Sequence, residues 1–271
     1  RVSACFLLKI SWIFKIFSTL GACPLQKPSS KNNLKKLGII AALPAEAKCF
    51  QINELSFETP IEIEKNVFLC ISGIGYESSL NATKKLVKLN VDGLVSWGIA
   101  GAISNSINSG DMVIARSVIN HRNIYSTSHE WQKKIISHFK DSSYKIFDGD
   151  VVSTEKICAS FEEKMKLFRK TKALAIDMES VGIAEIAMAS NLDFIIIRAI
   201  ADNADSNIPE AVIKNIDNFG RINIGRFLAS CLFHPAQIYE IILLAKSYKK
   251  ALCVLTNISM ELKKKNFFYS P

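Results

Sequence analysis

The run Phe194-Ile-Ile-Ile-Arg-Ala-Ile-Ala201, ending in Asp202, limits the folds open to this chain more than any other stretch. A continuous apolar run of strand length, bounded by polar residues, suits a strand covered on both faces, as in the middle of a parallel sheet. It closes a longer stretch, Ala173 to Asp205, that reads as strand, helix, strand, the first strand ending in Asp177-Met178-Glu179. Carboxylates are therefore expected at the ends of two neighbouring strands. In open α/β sheets that carboxyl edge is where ligands bind.

Upstream segments repeat the pattern. Leu37 to Leu43 reads as a buried strand, and Pro44 then opens a helix whose first turn holds Glu46. That carboxylate has two readings: a favourable charge at the positive end of a helix dipole, worth about 0.3–1 kcal/mol, or a group at the active edge. Asn66 to Ser72 is a second strand, followed by Gly73-Ile74-Gly75 and a helix through Leu89. A Gly-x-Gly after a strand invites a dinucleotide site, but Ser78 stands at the third glycine position and Asp92 begins a strand instead of ending one, so a tight turn is favoured. Asp92 to Trp97 is a third strand, and Gly98-Ile99-Ala100-Gly101 is read as a glycine turn whose N–H groups approach a ligand. A Gly110-Asp111 turn leads into a strand over Met112–Ile119, and a Gly149-Asp150 turn into Val151-Val152-Ser153-Thr154 at the same edge. Residues 120–144 are polar and say little. After Asp205 come a polar loop, a helix near 221–232, and a long basic amphipathic helix from Pro235 to about Lys265.

Charge argues about partners once it is located. The net +9 comes from the ends: residues 1–36 hold seven basic residues and no acid, and 246–271 hold six Lys against one Glu. The body, 37–245, has 21 basic against 24 acidic residues, which does not suit a nucleic-acid-binding surface. Residues 1–23 place Phe6, Ile10, Ile13, Phe14, Phe17 and Leu20 on one helical face, with Lys9 and Lys15 interrupting the run. Three readings stay open there: a surface-lying anchor, a targeting segment, or translated upstream sequence. Seven scattered cysteines, with no C-x-x-C pair, fit reduced thiols in a cytoplasmic protein. Four histidines without ligand spacing give no metal motif.

Taken together, Gly38-Ile-Ile-Ala-Ala-Leu-Pro-Ala-Glu46, Ser72-Gly-Ile-Gly75, Gly98-Ile-Ala-Gly101 with Gly110-Asp111, Ile176-Asp-Met-Glu179 with Ser180, and Arg198-Ala-Ile-Ala-Asp202 resemble the nucleoside phosphorylase and nucleosidase superfamily. The likeness is greatest to methylthioadenosine/S-adenosylhomocysteine nucleosidases and to hopanoid-associated enzymes acting on adenosylhopane. The hopanoid branch is also similar through Trp97-Gly-Ile-Ala-Gly101 and through His234-Pro-Ala-Gln237 with the helix after it. The resemblance implies a three-layer α/β/α sandwich around a mixed, partly barrel-like sheet, and cleavage of a nucleoside's N-glycosidic bond. It implies that Asp202 is the general acid toward purine N7, that Glu179 holds the ribose hydroxyls with Met178 packed on the ribose, that Glu46 activates water, and that Arg198 supports them. Gly98, Ile99, Ala100 and Gly101 would line the pocket, with Val152 and Ser153 against the base. Ile99 stands where methylthioadenosine nucleosidases usually carry Ser, which fits a greasier substrate.

The expected organisation is a basic extension and linker over 1–33, a nucleosidase-like domain over 34–234, and a basic amphipathic helix and tail over 235–271. Three functions are carried forward: a hydrolytic nucleosidase on an adenine nucleoside, a phosphorylase taking phosphate as co-substrate, and a membrane-associated nucleoside-binding protein without catalysis. The phosphorylase reading lacks a Gly-Asp-Pro-x-Arg phosphate loop in Ala41–Lys48. No cofactor and no metal are called for. The expected partner is a small-molecule nucleoside, the resemblance implies a homo-oligomer, and the basic tails suit peripheral contact with an anionic membrane.

Overall fold

The computed structural model describes residues 36–52, 54–217, 219–220 and 237–264, all within the compact unit Asn33–Pro271. The expected extension over 1–33 and the helix near 221–232 lie outside these residues. Elements are numbered in chain order over the described residues. The strands are β1 (Leu37–Ala41), β2 (Ile61–Glu64), β3 (Val67–Ile71), β4 (Gly93–Ala102), β5 (Met112–Ile119), β6 (Ile124–Ser126), β7 (Ile146–Ser153), β8 (Ala175–Asp177) and β9 (Asp193–Asp202). The helices are α1 (Pro44–Ala47, running into a 3-10 turn over Lys48–Phe50), α2 (Tyr76–Val87), α3 (His129–His138), α4 (Phe161–Thr171), α5 (Ser180–Ala189), α6 (Glu210–Ile213) and α7 (Gln237–Lys264).

The strands form one mixed sheet in the order β2-β3-β1-β4-β8-β7-β5-β6, and β9 pairs with both β4 and β5. That double pairing closes the ring β4-β8-β7-β5-β9, the partly barrel-like sheet expected from the motifs. The apolar run is β9, parallel to β4 from Gly93↔Asp193 onward and antiparallel to β5. Its side chains alternate between the two faces. Ile195, Ile197 and Ala199 enter a core with Trp97, Phe50 and residues of α7, whereas Phe194, Ile196 and Ile200 enter one with residues of α2 and α5. Both faces are covered, which is why the sequence shows no polar alternation. Arg198 shares the second face, and it is carried toward α5.

Three expectations change. The strands bearing Glu179 and Asp202 are not neighbours: β8 pairs with β4 and β7, and the two meet only across the end of β4, where Gly101 faces both Ile176 and Asp202. Gly98–Gly101 is not a turn, because β4 continues through Ala102 with β9 hydrogen-bonded along one edge. Gly149-Asp150 likewise lies inside β7, where a Cβ on Gly149 would stand 2.3 Å from the Leu174 side chain. Gly73 and Gly75, by contrast, do form the tight turn, with φ of 82° and 99°, a region that only glycine enters cheaply.

The polar stretch 120–144 contains β6 and α3, the latter burying Trp131 and Ile135. From Ala251 onward α7 buries Ala251, Leu255, Ile258 and Leu262 against the body, while Ile238, Tyr239, Ile242 and Leu243 nearer its start are exposed. The apolar face of its second half is therefore used inside the fold and is not free for a membrane. Among the described residues no helix is long and apolar enough to cross a membrane. Cys49, Cys70, Cys158 and Cys253 are free thiols.

Candidate active site

Glu46 sits in the first turn of α1, 3 % exposed. Its carboxylate accepts from Leu43 N–H on one oxygen and from Ile99 N–H on the other, both at 2.9 Å. It thus caps its own helix and ties α1 to β4. Burial raises its pKa, and the Ile99 and Leu43 amides oppose the rise. Gly98 is required here: a Cβ would lie 2.6 Å from Glu46 Oε1.

Glu179, just before α5, accepts from Gly75 N–H at 2.8 Å, so the positive-φ turn after β3 delivers a backbone donor to it. Burial, and after it the charge of Asp177, pushes the Glu179 carboxyl up to about 7, against the Gly75 N–H and the charge of Arg198. Beneath these carboxylates lies a polar network. Arg198 donates from Nε to Asp177 Oδ2 at 2.9 Å, and from Nη2 to Ser96 Oγ at 2.6 Å and Ser180 Oγ at 2.8 Å. Its guanidinium also lies 2.8 Å from Asp177 Oδ2 as an ion pair, and the Ser180 hydroxyl bonds the same carboxylate. Arg198 is 2 % exposed. It is occupied by Asp177 and two hydroxyls, and its action on Glu46 and Glu179 is through its charge. Glu46, Glu179, Arg198, Gly98 and Ile99 line one small cavity of about 10 Å³.

Asp202, at the end of β9, is held differently. The buried ammonium of Lys164, on α4, donates to Asp202 Oδ2 at 2.5 Å and to the carbonyls of Asn203 and Ser206 at 2.8 Å. Burial raises the Asp202 pKa and the Lys164 charge opposes it. A Cβ on Gly101 would lie 3.0 Å from Asp202 Oδ1. Asp202, Gly101, Ile176, Asp177, Met178 and Lys164 are among the residues around a second cavity, of about 100 Å³. A third and wider one, about 690 Å³, opens alongside Met178, Val152 and Ser153 and carries Arg122, Lys156 and Lys170 on its lining. Met178 borders the second and third cavities, and its neighbour Glu179 borders the first.

Of the residues expected from the sequence, Glu46, Glu179, Arg198, Gly98 and Ile99 come together at one cavity, and Asp202, Gly101 and Met178 at the next. Ala100 is buried in the α2/α5-side core and lines none of these cavities. Lys164 was not anticipated. It lies in Phe-Glu-Glu-Lys-Met-Lys-Leu-Phe-Arg-Lys, where every lysine looks solvated. The available signal is its helical phase: residues 164, 167, 168 and 171 share a face, and Leu167 and Phe168 pack on the body.

A mixed, ring-closed sheet with Glu46 against Gly98 and Asp202 against Gly101 of β4, and Glu179 on the cavity that Glu46 lines, defines an α/β protein with buried carboxylates set along one strand. The phosphorylase superfamily model matches residues 35–231, and the chain belongs to that superfamily. This agrees with the enzyme expected from the motifs, a nucleosidase or nucleoside phosphorylase. The chain is 26 % identical over 198 residues to the 5′-methylthioadenosine/S-adenosylhomocysteine nucleosidase of Staphylococcus aureus (strain JH9), covering 62 % of this chain and 87 % of the relative. Among solved structures it resembles the nucleosidase of the same description from Neisseria meningitidis in complex with methylthio-immucillin-A (TM-score 0.63, 20 % identity, 86 % of this chain and 100 % of the other). It also resembles futalosine hydrolase of Helicobacter pylori (TM-score 0.60, 19 % identity, 84 % and 98 %).

Proposed function

We propose that this chain hydrolyses the N-glycosidic bond of an adenine nucleoside, with water as acceptor and no cofactor. The observation that carries this reading is the division of the carboxylates along β4. Glu46 lies against Gly98 and Asp202 against Gly101, so one carboxylate stands at each of two positions along the strand, as suits an acid and a base acting on different parts of one substrate.

In this reading Asp202 protonates purine N7 as the bond to the sugar breaks, making the base a better leaving group. Glu179 holds the ribose hydroxyls by charge-assisted hydrogen bonds and faces the positive charge that develops on the sugar. Glu46, beside a cavity of about 10 Å³ that has room for roughly one water, deprotonates the nucleophile. Met178, between the cavities, packs on the ribose, and Val152 and Ser153 lie against the base. Arg198 holds Asp177 and Ser180 in place below.

The test is incubation of the purified protein with a panel of adenosine derivatives, with and without phosphate, and detection of adenine and of the sugar product. The panel runs from 5′-methylthio to long 5′-alkyl groups, because Ile99 offers apolar surface whereas the wide outer cavity carries Arg122, Lys156 and Lys170. Adenine and free sugar in equal amounts, independent of phosphate, are expected. A sugar 1-phosphate formed only with phosphate would make the chain a phosphorylase. Tight binding of the whole panel without adenine release would leave the non-catalytic reading in its place.

A further inference from the structure

Lys164 is the one lysine among the buried polar and charged residues described, with no measurable exposure, on a helix otherwise rich in solvated charge. An unpaired ammonium in such a place is costly, so its partners define its role. Two are main-chain carbonyls, of Asn203 and Ser206, and would serve a purely structural clamp. The third is Asp202 Oδ2, at 2.5 Å. A clamp on the 203–206 loop does not require that contact, and the carboxylate it touches borders the same cavity as Met178 and Gly101.

We propose that Lys164 is a positioning residue for the proton that cleavage consumes: its ammonium fixes the Asp202 carboxylate and stores the proton that Asp202 passes to the leaving base. The proposal rests on the reading of Asp202 as general acid. Burial disfavours separated charges, so moving one proton along a short Lys–Asp hydrogen bond costs little, and the pair stays neutral whichever atom holds it. The step balances. The Lys164 Nζ proton passes to the Asp202 carboxylate and on to N7 of the base as the bond from C1′ to the base breaks and its electron pair goes to the base, leaving an amine and a carboxylate. Water adds to C1′ and yields its proton to Glu46, and exchange with solvent restores the Lys164 ammonium and the Glu46 carboxylate.

Other titratable groups face the pair. Lys156 and Cys158 approach from the segment between β7 and α4, and Asp177 from β8. Glu163 precedes Lys164 on α4, and Asp205 is exposed. Burial pushes the Cys158 thiol up to about 11, so it stays neutral over the range tested. Glu179, up at about 7, gives the rate an ascending limb that is common to wild type and variants. The distinguishing readout is the alkaline side.

In the wild type the Lys–Asp pair retains its proton where a lone carboxyl has lost it, so kcat/KM should rise through about pH 7 and hold to pH 9. In Lys164→Met the buried Asp202 carboxyl keeps its own proton at low pH and loses it on the alkaline side. The variant-to-wild-type ratio of kcat/KM should therefore fall as pH rises from 6.5 to 9, by a factor within the range of general-acid effects, about 10²–10⁴. Lys164→Arg, which keeps a cation but does not give up its proton, should lose the plateau as Lys164→Met does; a retained plateau would show that charge alone, and not a stored proton, is what Asp202 needs. A ratio independent of pH, with Asp202→Asn strongly impaired, would reduce Lys164 to a structural clamp and leave the acid standing. Full activity of Asp202→Asn would remove the acid itself. If the lysine variants do not fold, the wild-type profile alone decides: a tenfold-per-unit decline beginning below pH 8 overturns the proposal.

Discussion

Glu46 and Glu179 are anchored by backbone N–H groups of Leu43, Ile99 and Gly75, whereas Asp202 is anchored by the ammonium of Lys164 from a separate helix. Backbone donors orient a carboxylate without cancelling its charge. The nearby cation, Arg198, is paired with Asp177 and reaches Glu46 and Glu179 through its charge alone, so in the proposed reaction the ionised Glu46–Glu179 side faces a cationic sugar. The Lys–Asp side is neutral as a pair and holds a transferable proton. In the reaction we propose, one side of the site stabilises charge and the other supplies a proton, and the kind of anchor decides which.

The largest effect expected from breaking this division is at the acid. Asp202→Asn keeps the shape of the side chain and removes its proton, so cleavage of an adenine nucleoside should slow by about 10²–10⁴-fold. A nucleoside whose base departs readily without protonation should lose far less. Equal losses on both substrates, in steady-state assays run side by side, would mean that Asp202 does not protonate the base.

Next in size is the buried Arg198–Asp177 pair that lies beside Glu46 and Glu179. Arg198→Met leaves Asp177 without its cation in a buried site, and truncating one partner of such a pair costs about 3–5 kcal/mol. Urea unfolding should show the loss, and Asp177→Asn added to the same chain should recover part of it. If the double variant is no more stable than the single one, the uncompensated charge of Asp177 is not the cause.

How much of this the sequence disclosed follows the same split. β9 and the Glu46 helix turn were legible because local pattern and tertiary role coincide: an apolar run becomes a doubly covered strand, and a carboxylate in a first helical turn turns back on its own N-terminus. Gly73 and Gly75 were legible as a turn for the same reason. Gly98 and Gly101 were misread as a turn, since a glycine needed for a side chain arriving from elsewhere in the fold looks identical in sequence to one needed for backbone bending. Lys164 was overlooked because the helical phase it shares with Leu167 and Phe168 marks an inward face but not the acid that β9 places against it. The stretch 120–144 was opaque, its buried Trp131 and Ile135 being too few to stand out among polar neighbours.

The two glycines allow a finer cut through the comparison. An added methyl at Gly98 meets Glu46 Oε1 at 2.6 Å, and at Gly101 it meets Asp202 Oδ1 at 3.0 Å. Overpacking of this kind costs about 1–3 kcal/mol, and Gly98→Ala should cost the more of the two. The kinetic signatures should also differ. Gly98→Ala displaces Glu46, the carboxylate we propose activates water, so its rate loss should persist whichever base leaves, whereas the loss in Gly101→Ala should shrink for a base that departs unprotonated. Identical leaving-group dependence in the two variants would show that the sides are not separable along β4.

The smallest effect lies in the stability that the charged side gives up. The Glu179 carboxyl is raised from 4.5 in the unfolded chain to about 7 in the folded one. Between those values the folded state binds the extra proton, so stability falls as pH rises through that window, and above about pH 7 the fold carries the full cost of the ionised group. Glu179→Gln cannot ionise. It should match the wild type near pH 5, where Glu179 is protonated, and melt higher at pH 8. The sign of the difference, absent near pH 5 and favouring the variant at pH 8, is the expected outcome. The same variant should lose activity at pH 8, because an amide neither pairs strongly with ribose hydroxyls nor faces a developing cation with charge. Thermal melts at the two pH values, alongside activity at pH 8, check both halves. A variant that melts no higher at pH 8 than the wild type would show that the ionised Glu179 costs the fold nothing, and that its backbone anchor compensates the charge after all.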